Sequence, residues 1–131
     1  MIKPLKVIMI IYAISGISLG LAFIIVPNII GAMLGYDSGP TYIAALTAML
    51  GASFISACIF LLIAAKNPIK HILWVKYAIV FAILSLVAPL YSVLLNHITI
   101  IQALAPLITH TVFAIALLGF YPWRTERLEM K

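Results

Sequence analysis

Acidic side chains are almost missing from this chain: Asp37, Glu126 and Glu129 are the only three. None falls inside a long apolar run, so the membrane-embedded carboxylate on which cation-coupled transport and multidrug export usually depend is lacking. Cysteine occurs once, as Cys58, which excludes an internal disulfide and reads as an inert buried thiol. The three histidines are dispersed, with His71 near one membrane surface, His110 near the centre and His97 near the other surface. His97 and His110 differ in depth by roughly 15 Å at about 1.5 Å per residue, so one chain is not expected to build a haem or metal site from them. A Ser-His-Asp set at common depth and a phosphate-cradling glycine loop are both missing as well. No catalytic residue and no cofactor is therefore expected, and the balance leans away from an enzyme.

What fills the chain instead is apolar: 66% of its 131 residues are hydrophobic and 8% are charged. Four uncharged apolar runs, at about 7–26, 41–65, 77–95 and 99–121, are each long enough to cross a bilayer as a helix. The first stops at Pro27-Asn28, since proline cannot continue a helix. Its length, beyond an h-region of about 7 to 15 residues, argues against a cleaved signal peptide. The expected fold is an all-α polytopic membrane protein, one antiparallel four-helix bundle occupying residues 1–131.

Orientation follows from the lysines and arginines. Lys3 and Lys6, then Lys66, Lys70 and Lys76, then Arg124, Arg127 and Lys131 all fall on one side of the four runs, and by the positive-inside rule both termini are expected in the cytoplasm. The net charge of +5 is thus a matter of topology and not of nucleic-acid binding. Trp74, Tyr77, Tyr121 and Trp123 are expected to form an inner aromatic belt, with Tyr36 and Tyr42 on the outer side. The outer loop, residues 27–40, suits a short interfacial turn or helix that ends in the turn Asp37-Ser38-Gly39-Pro40.

Helices in lipid associate through close packing and hydrogen bonds, so small residues mark contacts. Gly16 and Gly20 in the first run, and the ladder Ala44, Ala48, Ala52, Ser56 in the second, are expected to form packing seams, internally or with a second copy.

Counting inward from the expected helix ends puts a polar group near every midpoint: Ser15, Ser53, Ser85 and the pair Thr109-His110. The tripeptide Ala-Pro-Leu occurs in both the third and fourth runs, and Pro89 and Pro106 each deprive a carbonyl of its usual partner at similar depth. Gln102, Pro106 and His110 share one helix face, opposed by Ser85, Pro89, Ser92 and Asn96 on the third run. These stripes suggest an outward-opening cleft between the third and fourth helices. His110 forms its floor and Tyr91 its wall, and Gln102, Thr109, Ser85, Ser92 and Ser53 are candidate ligand contacts. His110 is expected to be neutral at physiological pH and bonded to the third helix near Ser85 or to a trapped water.

In layout the chain resembles the small prokaryotic four-helix membrane proteins grouped as DoxX-like. The resemblance is carried by "IVPN" at 25–28, "MLGYDSGP" at 33–40, "AALTAMLGASF" at 44–54 and "YPWR" at 121–124. It implies a plasma-membrane protein and, for some such proteins, service as a subunit or accessory protein of redox complexes; it carries no functional residue over. Two functions follow as expectations. The first is a non-enzymatic membrane module, structural or accessory, packing with itself, a membrane partner or lipid. The alternative is a small carrier or transporter binding a lipophilic or amphiphilic molecule in the cleft between the third and fourth helices.

Overall fold

The structure is a computed structural model that describes residues 2–33 and 41–123. Asp37, Tyr36, the side chain of Tyr42 and everything after Trp123 lie outside the described residues. Among the described residues there are five helices: α1 (Ile2–Ile25), α2 (Pro27–Met33), α3 (Thr41–Lys66), α4 (Ile72–Leu94) and α5 (Ile100–Gly119). Four of them, all but α2, are long and apolar enough to span a membrane. The segment after Pro27 forms the short helix α2, with proline at its first position, where no intrahelical N–H is needed.

Two helices begin earlier than their apolar runs. α1 starts at Ile2 and α4 at Ile72, each about five residues before the uncharged stretch. Lysine is a good helix former, and Pro4 sits in the first turn, where backbone N–H groups have no partner to lose. Loss of apolar character ends a membrane span; it does not end a helix.

Neighbours in the bundle run in the ring α1, α3, α4, α5. α1 lies along α3 and α4 lies along α5 over long stretches, while α1 with α5 and α3 with α4 touch over much shorter ones. The fold is therefore two tight antiparallel pairs joined edge to edge. The α1–α3 pair closes on backbone: a Cβ added to Gly20 would lie 2.7 Å from the Gly51 carbonyl oxygen, and one added to Gly51 would lie 2.5 Å from that of Gly20. At the lysine-bearing end of this pair, Lys6 Nζ donates to the Lys66 carbonyl at 2.7 Å, serving one of the free carbonyls at the α3 C-terminus.

The α4–α5 hairpin is made by local chemistry at both ends of its turn. Asn96 takes a left-handed conformation, φ 57°, and the amides of Asn96 and His97 donate to the Val93 and Ser92 carbonyls, which closes α4 as a Schellman turn. Thr99 then opens α5 with a capping box. Its hydroxyl accepts from the Gln102 amide, and the Gln102 side chain accepts from the Thr99 amide at 2.7 Å.

The core is lopsided. Side chains that join the two pairs, among them Leu5, Met9, Val75, Leu117 and Tyr121, are fully or nearly fully buried and all lie toward the lysine-bearing end. In the other half the buried residues of the long helices are Gly20, Phe23, Gly51 and Ala103, which serve contacts within a pair. Tyr121 belongs to this core, at 2% exposure, and not to an interfacial belt. Among the described residues the phenols of Tyr12 and Tyr121 are the only buried side chains that carry a polar group, and the outward faces of the long helices are dominated by Ile, Leu, Val and Met.

Candidate functional site

On α5, His110 falls in the same helical stripe as Ala103, Ala114, Leu117 and Tyr121, which turns it to the bundle interior. On α1, Tyr12 falls in the stripe of Leu5, Met9 and Gly16, which does the same. The two meet: Tyr12 Oη and His110 Nδ1 are 3.2 Å apart. With Nε2 protonated the phenol donates to Nδ1; with Nδ1 protonated the ring donates to the phenol oxygen. The Tyr12 ring stacks on Phe113 at 4.3 Å between centroids, and Phe81 of α4 meets His110 edge-on at 6.3 Å.

Tyr12, His110 and Phe81 border a cavity of about 50 Å³ at the middle of the bundle. All four long helices line it, chiefly through Tyr12, Gly16, Phe54, Cys58, Phe81 and His110. Its size admits a few waters or the end group of a larger molecule, given that one water needs on the order of 10–15 Å³. The Tyr12 hydroxyl, the His110 ring and the Cys58 thiol are its principal polar groups, and no residue lining it is an acid, a lysine or an arginine. Among the described residues nothing hydrogen-bonds His110 Nε2, and this nitrogen is not fully buried. A neutral hydrogen-bonding group can therefore be received there beside aromatic surface.

Other residues singled out from the sequence are placed elsewhere. Gln102 is engaged by the α5 cap, and Asn96 belongs to the turn. Ser53, Ser92 and Thr109 each return a hydroxyl hydrogen bond to the carbonyl four residues back, Met49, Ala88 and Ala105, at 2.9–3.0 Å. Tyr91 is 60% exposed, and Ser85 is half-buried but does not border the cavity. A hollow of about 340 Å³ does exist at the α4–α5 turn, bordered by Asn96, His97 and Gln102, but neither His110 nor Ser85 lines it. The partner expected for His110 on the third run is replaced by Tyr12 on the first. The shift is one of packing: Tyr12 of α1 and His110 of α5 both turn to the bundle interior and meet there, whereas Ser85 of α4 does not border the cavity.

The packing residues divide in the same way. Gly16 borders the cavity, where an added Cβ would collide with Cys58 Sγ, and Gly20 faces Gly51. Ala44 and Ala48 are half-buried, whereas Ala52 and Ser56 are exposed. A four-residue step overshoots the 3.6-residue turn by about 40°, so a ladder at that spacing leaves the seam after two steps. The seam continues through Gly51, Ile55 and Cys58.

Among the described residues no three His, Cys, Asp or Glu side chains converge as metal ligands. Compared with protein-family models, curated proteins and solved structures, the chain finds no match.

Proposed function

We propose that this chain is a non-enzymatic membrane module whose working part is the central cavity, which binds the polar end of a small neutral amphiphile. The observation that carries this reading is the Tyr12–His110 pair facing a midplane cavity with an open ring nitrogen. A ring or short chain bearing one hydroxyl or carbonyl matches the lining; an ion does not, because no charge is available to compensate it. The carrier reading is thus kept, with its site moved from the α4–α5 cleft to the bundle centre. Favouring it over a purely accessory role is the use of Gly16 and Gly20 inside the chain, where they cannot also serve a partner. The DoxX-like resemblance and the plasma membrane belong to the same proposal.

Binding tests it directly. In mild detergent, 4-hexylphenol and other neutral phenols are expected to bind saturably at one site per chain by equilibrium dialysis. His110→Leu and Tyr12→Phe are expected to weaken that binding about tenfold, equivalent to about 1.4 kcal/mol. Stability should fall by only about 1 kcal/mol, the scale of a membrane hydrogen bond. Absence of saturable binding across the series, or equal binding by both variants, removes the reading.

Orientation is proposed with both termini in the cytoplasm, on the strength of Lys3, Lys6, Lys66, Lys70 and Lys76 at one end of the bundle. A cysteine placed at Lys70, in a Cys58→Ser background, should resist an impermeant thiol reagent added to intact cells. Labelling from outside would invert the topology.

A further inference from the structure

A second concavity, about 570 Å³, runs along the membrane-facing seam of α3 and α4. Ala52, Ser53 and Ser56 form its α3 wall, and Phe60 and Trp74 stack at its lysine-bearing end with ring centroids 4.8 Å apart. Two further residues, Ala57 and Tyr77, border both this groove and the central cavity. The wall between lipid and cavity is therefore two side chains thick here, one of them a methyl group and the other a ring that is 43% exposed.

Several other routes are filled. Toward the lysine-bearing end, Leu5, Met9, Val75, Leu117 and Tyr121 plug the bundle. Toward the opposite end, Phe23, Phe54 and Phe81 form a row from α1 through α3 to α4, with centroids 5.7 and 5.6 Å apart. The α1–α5 seam is shut by the Tyr12–Phe113 stack, and the α1–α3 seam by backbone contact at Gly20 and Gly51. At α3–α4, by contrast, a lipid-facing groove shares its lining with the cavity through Ala57 and Tyr77; among the described residues the cavity's other exposed lining residue is Leu19 of α1. Along α4 the aromatic rings form steps in that direction: Trp74 borders the groove, Tyr77 borders both spaces, and Phe81 borders the cavity beside His110. Successive centroids lie 5.6, 6.0 and 6.3 Å apart.

We infer that the α3–α4 groove is the lateral entrance through which a bilayer-dissolved amphiphile reaches the central cavity, with the Tyr77 ring as its gate and Ala57 as its sill. This rests on the cavity being a ligand site, and it adds where the ligand comes from: lipid, not water. Swinging the Tyr77 ring outward joins groove to cavity, since the α3 side chains that border the groove away from Phe60 are the small ones of Ala52, Ser53, Ser56 and Ala57. The polar end then sits at Tyr12 and His110, and the remainder of the molecule lies in the groove against Trp74 and Phe60.

Cys58, the single cysteine, lines the cavity and reports access without any knowledge of the ligand. The full chain in phosphatidylcholine vesicles is treated with methylmercury chloride, a small neutral reagent that partitions into lipid. The thiol sulfur bonds to mercury, chloride leaves and the thiol proton is released, and the added mass is read on the intact protein. Tyr77→Ala is expected to label at least about tenfold faster than the unaltered chain, and Ala57→Leu about tenfold slower. Leu19→Phe, at the opposite side of the cavity, should leave the rate unchanged. The charged reagent p-chloromercuribenzenesulfonate should not label from either aqueous side. The inference is overturned by equal rates in the Tyr77 and Ala57 variants, by slowing in Leu19→Phe, by labelling with the charged reagent, or by no labelling of folded Tyr77→Ala when the denatured chain does react. Circular dichroism and the unfolding midpoint identify any variant that has lost its fold, and Tyr77→Phe supplies a second gate variant that keeps the ring and should keep the slow rate. Failure here with phenol binding intact would leave the cavity site standing and discard only its entrance; loss of phenol binding with gated labelling intact would do the reverse.

Discussion

Gly51→Val is expected to separate α1 from α3 and to destabilise the protein by about 3 kcal/mol or more, beyond the usual range of about 1–3 kcal/mol for overpacking. The reason is what a new Cβ meets. It would lie 2.5 Å from the Gly20 carbonyl oxygen and 2.8 Å from Phe23 Cβ, and both atoms are fixed to backbone. A flexible side chain can rotate away from an intruding methyl; a helix can only be pushed off. In lipid this contact matters more than its area suggests, because apolar burial gives little drive when the surrounding solvent is itself apolar, and dispersion across a close seam takes its place. The expected readings are a lowered unfolding midpoint in detergent and poor recovery of folded protein. Gly119→Ala is the matched control, since nothing lies within 4 Å of its added Cβ and alanine favours a helix over glycine by about 1 kcal/mol. A Gly51→Val chain as stable as the parent would mean that α1 and α3 do not pack on backbone.

Leu117→Ala is expected to cost about 2–3 kcal/mol, while Leu104→Ala on the same helix should change stability by less than about 0.5 kcal/mol. Leu117 is fully buried among the side chains that join the two helix pairs, and Leu104 is 45% exposed in the half where the pairs are not joined by buried side chains. Truncating the first leaves a hole that fixed neighbours cannot fill. Truncating the second lets a lipid chain move in. Reversible unfolding of both variants in mixed micelles measures the difference, and equal losses would show that the two halves of the bundle are packed alike.

The lopsided core also bears on the cavity. It lies where joined and unjoined halves meet, so the groups around it are held from one side by Leu117 and its neighbours and from the other mainly by aromatic edges. Tyr12 and His110 are positioned by the rigid half. Tyr77, which borders the groove, is free on one face.

Much of this was legible from residue order alone. Four uncharged runs of about 20 residues leave a chain no other way to satisfy its backbone in lipid, so helix number, approximate span and antiparallel order follow without any tertiary information. Asn96 and Thr99-x-x-Gln102 carry their turn and cap chemistry locally, although Gln102 was also open to a reading as a ligand contact. His110 was conspicuous because an imidazole in an apolar helix needs a partner. Which partner was decided only by tertiary structure. Apolar runs mark where lipid begins and not where a helix begins, and neither boundary says which residue of a neighbouring helix lies against His110; packing puts Tyr12 there. The facing of Ala52 and Ser56, the Gly20–Gly51 contact and the shared wall of Ala57 and Tyr77 likewise depend on rotation of one helix about its axis against another. A few residues of small side chain set that rotation through contacts distant in sequence, and no local pattern encodes it.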